Sequence, residues 1–143
     1  VKTVSLVVEN KAVVTVKVDM GLPIFEANKI PAYLPRDEMS NKYHTVSIEF
    51  ENEEYKFDLV SMGNPHCVCF VSDLSKIDLG KIGPYIENYK YFPNKTNVEF
   101  AQIVDRNNIK VAVWERGVGK TISCGTGACA CRSLCNKAKL CKS

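Results

Sequence analysis

The one long helical stretch in this sequence has an apolar stripe built from small residues. Between about residues 127 and 139, Ala128, Cys131, Cys135 and Ala138 recur at helical spacing. Side chains this small let strands approach a helix closely, so the stretch suits a helix wrapped by a curved sheet. The upstream chain supplies the strands. Residues 4–8 and 12–18 flank a turn at 9–11 and alternate as a hairpin with one buried face. Residues 30–37 read as a Pro-punctuated loop. Strands follow at 44–50 and 55–61, joined by an acidic turn, and 67–71 is a continuous apolar run expected to be buried on both faces. Asp73 or Ser75 is placed to cap a short helical turn, and 79–88 reads as a helix or an irregular segment. Residues 97–104 and 109–115 form a hairpin across 105–108. The predicted class is α+β: a mostly antiparallel curved sheet around a central helix.

A chain of 143 residues with 45% apolar and 24% charged residues suits one globular domain with its own core. The net charge of +3, with no clustered basic patch interleaved with aromatics, argues against a nucleic-acid partner. No apolar run approaches the length of a membrane span. The sequence opens at Val1 in what reads as mid-strand and shows no signal-peptide pattern, so the expectation is a fragment of a longer cytoplasmic protein. Seven cysteines is an odd number, and without a secretory signal they are expected to be free thiols in a reducing compartment.

Chemistry concentrates between Glu115 and Cys129. Cys124 precedes Gly125, Thr126 and Gly127, where the helix begins. The unpaired N–H groups of a helix N-terminus stabilise a thiolate. The same donors, with the Thr126 hydroxyl, can hold a substrate carboxylate, because glycine lets the backbone come close. The alternative is a structural thiol at a tight turn. Period-two alternation puts Glu115 on one strand face with Ile109, Val111 and Val113, placed to exchange protons at the strand end. The competing reading is a rim ion pair with Arg116 or a lysine. In Gly63-Asn64-Pro65-His66-Cys67, His66 shares a face with Val68 and Phe70, a pattern more often met in a satisfied core histidine. A metal centre is not expected. Cys67 and Cys69 face away from His66, and Cys129 and Cys131 point about 160° apart on a helix.

Taken together, these motifs resemble the diaminopimelate epimerase family. Gly-Asn-Pro-His-Cys stands at 63–67, Glu-Arg-Gly-Val-Gly at 115–119 and Cys-Gly-Thr-Gly-Ala-Cys-Ala at 124–130. Asp19-Met-Gly-x-Pro-x-Phe25 and Thr96-Asn-Val-Glu-Phe100 support the match, whose order and spacing run along essentially the whole chain. The resemblance implies a cofactor-independent, metal-free isomerase interconverting LL- and meso-diaminopimelate in lysine biosynthesis, located in the cytoplasm, or in a plastid if the source is a plant. It implies two similar domains closing over the substrate, of which residues 1–143 would be the C-terminal one, without its last strands. The missing N-terminal domain would be a partner, and a homodimer is possible. By motif, Cys124 would be one acid–base cysteine, Glu115 would manage its proton, and His66 would serve the opposing cysteine of the absent domain. Gly125 and Thr126 would bind the reacting carboxylate, while Asn64, Asn97 and Arg116 would hold the distal end. Lys120 stands where the family usually has Glu, placing a positive charge near the thiol. Without the second cysteine, the chain alone is expected to be inactive.

Two rival readings remain at this level. One is a related racemase or epimerase, of the proline-racemase kind, acting on a smaller amino acid. The other is a non-catalytic ligand-binding domain of the same fold. A cysteine hydrolase would need a histidine beside Cys124, and His44 at a strand start is a poor candidate.

Overall fold

The computed structural model describes residues 2–26, 29–34 and 44–140. Residues 35–37 of the expected Pro-punctuated loop, and residues 141–143 at the carboxyl end, lie outside the described residues. Strands β1 (Val4–Glu9) and β2 (Ala12–Val18) pair antiparallel as a two-stranded ribbon. Asn10 and Lys11 turn it with φ of 49° and 65°, the left-handed pair that suits the twist of a tight hairpin. The alternation is present, but the expected burial is not. Val4, Leu6, Val16 and Val18 remain 46–59% exposed, because the period of a strand marks an apolar face without supplying what covers it.

Among the described residues, six further strands form one sheet in chain order. They are β3 (Thr45–Phe50), β4 (Glu53–Ser61), β5 (Pro65–Phe70), β6 (Asn97–Ile103), β7 (Ile109–Glu115) and β8 (Gly119–Thr121). Neighbours run antiparallel except β5 and β6, which are parallel. A parallel pair needs a crossover. Here it contains a single turn, Leu74–Lys76, capped by Asp73, and helix α1 (Leu79–Glu87). The second helix, α2 (Gly125–Lys137), follows β8.

The pleat sorts the sheet's side chains between the two helices. On one face Phe57, Leu59, Cys67, Val98 and Phe100 pack with Ile82 and Ile86 of α1. On the other, Val60, Val68 and Ala101 pack with Ala130, Cys131 and Leu134 of α2. The expected α+β class and mostly antiparallel sheet are therefore present, with a helix on each face.

The buried stripe of α2 is Gly127, Ala130, Cys131, Leu134 and Cys135, while Ala128 and Ala138 are exposed. Cys131 and Cys135 are buried as expected, and the helix is turned by about half a residue from the expected stripe. The reason lies at its first turn. A Cβ on Gly127 would stand 2.7 Å from Glu99 Oε1, so the glycine, not Ala128, must face the sheet. Cys67, Cys69, Cys124, Cys129 and Cys131 are free thiols. Cys135 is disulfide-bonded, which corrects the expectation of free thiols throughout.

A candidate active site at the N-terminus of the second helix

Cys124 is the N-cap of α2. Its extended backbone (φ −134°, ψ 113°) brings the chain in from β8, and its Sγ accepts the Gly127 N–H at 3.3 Å. A sulfur thus occupies the place usually taken by a capping oxygen, facing the unpaired first-turn donors. The Thr126 hydroxyl lies 3.4 Å from Sγ, and half-buried Cys124 lines a shallow cavity of about 220 Å3 with Val111, Val113 and Ala128. A Cβ on Gly125 would stand 3.1 Å from Met20 Cε, a tight contact that the flexible end of the methionine can relieve.

The two motifs meet through side chains. Asn64 Nδ2 donates to Thr126 Oγ1 at 3.5 Å, and Asn64 Oδ1 lies 3.1 Å from His66 Nε2. Residues 62 positions apart are joined because β5 and α2 pack face to face. His66 does share its face with Val68, on the α2 side of the sheet. It is fully buried, and its Nδ1 lies 2.6 Å from Glu99 Oε1 of β6. Glu99 is also fully buried, and its Oε2 has no hydrogen-bond partner among the described residues. Burial pushes its carboxyl above the ordinary range, the bond to His66 pulls the other way, and nearby Glu115 adds to the rise. Glu115 ends β7 on the same face, opposite Gly119 of β8, with Val113 two residues before it.

The remaining expected residues form a support around the turn after β7. Asn97 is buried with its amide engaged by backbone, donating to the Pro65 carbonyl at 2.8 Å and accepting the Arg116 N–H at 3.0 Å. It therefore ties the Asn64–His66 segment to the Arg116 turn. The exposed Arg116 guanidinium donates to the Asn94 carbonyl at 3.2 Å. Behind the turn, Glu87 of α1 accepts the Gly117 N–H at 2.9 Å and the Trp114 Nε1–H at 2.7 Å. The strand register pairs Lys120 with Trp114, on the α1 face. Lys120 is thus placed on the sheet face opposite Glu115 and α2.

Reading the sequence alone passes over Glu87, Glu99 and Trp114. Glu99 had a signal, a lone carboxylate between Val98 and Phe100 in an otherwise apolar strand. Glu87 had none, since its hydrogen-bond donors come from a strand and a turn 27 and 30 residues downstream. Cys67 and Cys69 lie on the α1 face, away from His66, and among the described residues no three His, Cys, Asp or Glu gather as a metal site. A wider groove of about 480 Å3, lined by Tyr55, Cys69 and Asp73, contains none of the expected site residues.

The fold and the site place a thiol at a helix N-terminus and a buried histidine–carboxylate pair on one sheet face, joined through Thr126 and Asn64. The family model described as diaminopimelate epimerase matches residues 59–143. The chain belongs to the diaminopimelate epimerase family. It is 45% identical over 132 residues to the diaminopimelate epimerase of Methanococcus maripaludis, covering 91% of this chain and 46% of that protein. It is 46% identical over 125 residues to that of Brachyspira hyodysenteriae, covering 87% and 43%. Diaminopimelate epimerase 1 of a Nostoc species is 48% identical over 115 residues, covering 80% and 40%. The chain thus spans less than half the length of these relatives. Among the described residues no helix is long and apolar enough to cross a membrane.

Proposed function

We propose that this chain supplies one side of the active site of a diaminopimelate epimerase, a cytoplasmic, cofactor-independent isomerase of lysine biosynthesis. The observation that carries the reading is the joining of the two motifs, with Cys124 on the first turn of α2 linked through Thr126 and Asn64 to His66.

Inverting a stereocentre by proton transfer needs a base on one side of the carbon and an acid on the other. In this reading a thiolate takes the α-proton and a thiol on the opposite side returns one, so the C–H bond broken is replaced by a new one of inverted configuration. Cys124 is one of the pair, and the opposing cysteine comes from outside these residues. Glu115 manages the Cys124 proton, and His66 serves the other thiol. As the α-proton leaves, negative charge spreads onto the substrate carboxylate. The first-turn N–H groups, with Gly125 and Thr126, are aimed to absorb it. Arg116 meets the distal carboxylate. Asn97 acts at one remove, by fixing the backbone of Arg116 and Pro65. A polypeptide limited to these residues lacks the second base and is inactive on its own.

The test is solvent isotope incorporation by the full protein. With LL-diaminopimelate in deuterated water, meso product should carry deuterium at the inverted carbon, and Cys124→Ala should abolish both inversion and label. Binding without exchange would leave a ligand-binding domain, and turnover of proline in place of diaminopimelate would leave the racemase reading.

A further inference from the structure

Glu99 is a buried ionisable group that the mechanism above leaves unused. It sits in the middle of β6 with no exposure, its Oε1 2.6 Å from His66 Nδ1, and it occupies the space where any side chain on Gly127 would have to go. A carboxylate removed from water is costly unless it is paired and hydrogen-bonded. Such a group in the wall of a catalytic cleft needs a reason to be there.

We propose that Glu99 is a positioning residue for His66, engaging Nδ1 through a short charge-assisted hydrogen bond so that Nε2 is the nitrogen presented to Asn64 and the site. Which imidazole nitrogen carries a proton is set by what the other one meets. Here Nδ1 meets the carboxylate at 2.6 Å and Nε2 meets Asn64 Oδ1 at 3.1 Å, while the Asn64 amide nitrogen points to Thr126. That set of partners makes Nε2 a proton-bearing donor and leaves one proton on the Nδ1–Glu99 axis. His66 then gives or takes charge against a counter-charge sealed from water. The groups facing Glu99 are His66 from β5, Glu115 from β7, and Cys131 with the Cys124 turn from α2, while Cys67 lies on the other face of β5. Among them only the His66 imidazole is within hydrogen-bond distance of the carboxylate, at 2.6 Å. The inference rests on the reading that His66 serves the epimerase site.

The test compares the full protein with its Glu99→Gln variant by nitrogen-15 imidazole NMR and by kinetics with diaminopimelate. The wild type should show His66 with a protonated Nε2 and a strongly downfield proton on the Nδ1 axis, and Glu99→Gln should lose the downfield resonance. The variant should also lose about 100-fold in kcat with little change in KM, as expected for a misplaced proton-transfer group, and should alter the pH profile of kcat. A merely structural carboxylate would lower the melting temperature and leave the pH profile and the kcat-to-KM split alone. Absence of the downfield resonance in the wild type overturns the proposal even if the variant fails to fold. A variant with wild-type kinetics and pH profile overturns it as well. If the wild type does not epimerise diaminopimelate, the functional reading fails, and the wild-type resonances alone decide whether Glu99 holds His66.

Discussion

The indole Nε1–H of Trp114 donates to the Glu87 carboxylate over 2.7 Å, on the sheet face opposite Cys124. The same carboxylate receives the Gly117 N–H and lies 3.5 Å from Lys95. One buried side chain on α1 thereby fixes both the end of β7 and the turn that carries Arg116. Gly117, at φ +75°, takes a backbone conformation that glycine adopts without strain, and its N–H is turned inward onto Glu87.

Glu87→Gln should destabilise the protein in a pH-dependent way. Burial pushes the Glu87 carboxyl up, but Trp114, Gly117 and Lys95 outweigh it and hold the group below its ordinary value of 4.5. A folded pKa below the unfolded one gives stability that is present above about pH 4.5 and lost as pH falls through the folded value. Urea unfolding should show a loss of about 2 kcal/mol at neutral pH, the scale of hydrogen bonds to a charged group. The gap between wild type and variant should narrow in acid. An equal gap at neutral and acidic pH would remove the ionised carboxylate from the account.

Gly83→Ala pits helix propensity against packing. In an open helix the change gains about 1 kcal/mol. A Cβ on Gly83, however, would lie 2.7 Å from Trp114 Cγ and Cδ2, and the indole is pinned by Glu87 and cannot swing aside. Overpacking costs about 1–3 kcal/mol, so a net loss is expected. Trp114 is the single tryptophan, so its fluorescence reports the displacement directly. A variant as stable as the wild type with an unmoved emission spectrum would contradict this packing.

Gly127→Ala should be worse for the site than for the helix. The new methyl would meet Glu99 Oε1 at 2.7 Å and the Cys124 side chain at 3.4 Å, so the carboxylate or the first turn of α2 must shift. Alkylation of Cys124 should change in rate while far-ultraviolet circular dichroism stays near wild type. Unchanged Cys124 reactivity would show that the first turn absorbs a methyl freely.

Alkylation at neutral pH should mark Cys124 ahead of the buried thiols. Burial raises Cys67 well above the ordinary thiol value, raises Cys69 to about 11, and raises Cys131 as well. Cys124 is half-exposed beside Thr126 and the helix donors. Peptide mapping after a brief pulse of iodoacetamide reads the order. Cys131 labelled as fast as Cys124 would mean that α2 leaves the sheet on the timescale of the pulse.

Much of this molecule was written in its local pattern. Period-two alternation located β1 and β2, placed Glu115 with Val113 and separated Cys67 from His66, because a strand's side chains alternate whatever surrounds them. The Gly-rich corner after Cys124 marked the start of α2 to within two residues, since free helix donors and close backbone approach call for those residue types. Tertiary structure decided the rest. It set the parallel pairing of β5 with β6, which brings His66 beside Asn97 and Glu99 into reach. It also decided the rotation of α2 by about half a residue, the face taken by Lys120 and the exposure of the β1–β2 ribbon. A sequence fixes the period and chemistry of each element from neighbours a few bonds away. Which buried carboxylate meets which imidazole depends on contacts across 33 residues, settled only when both sheet faces were packed.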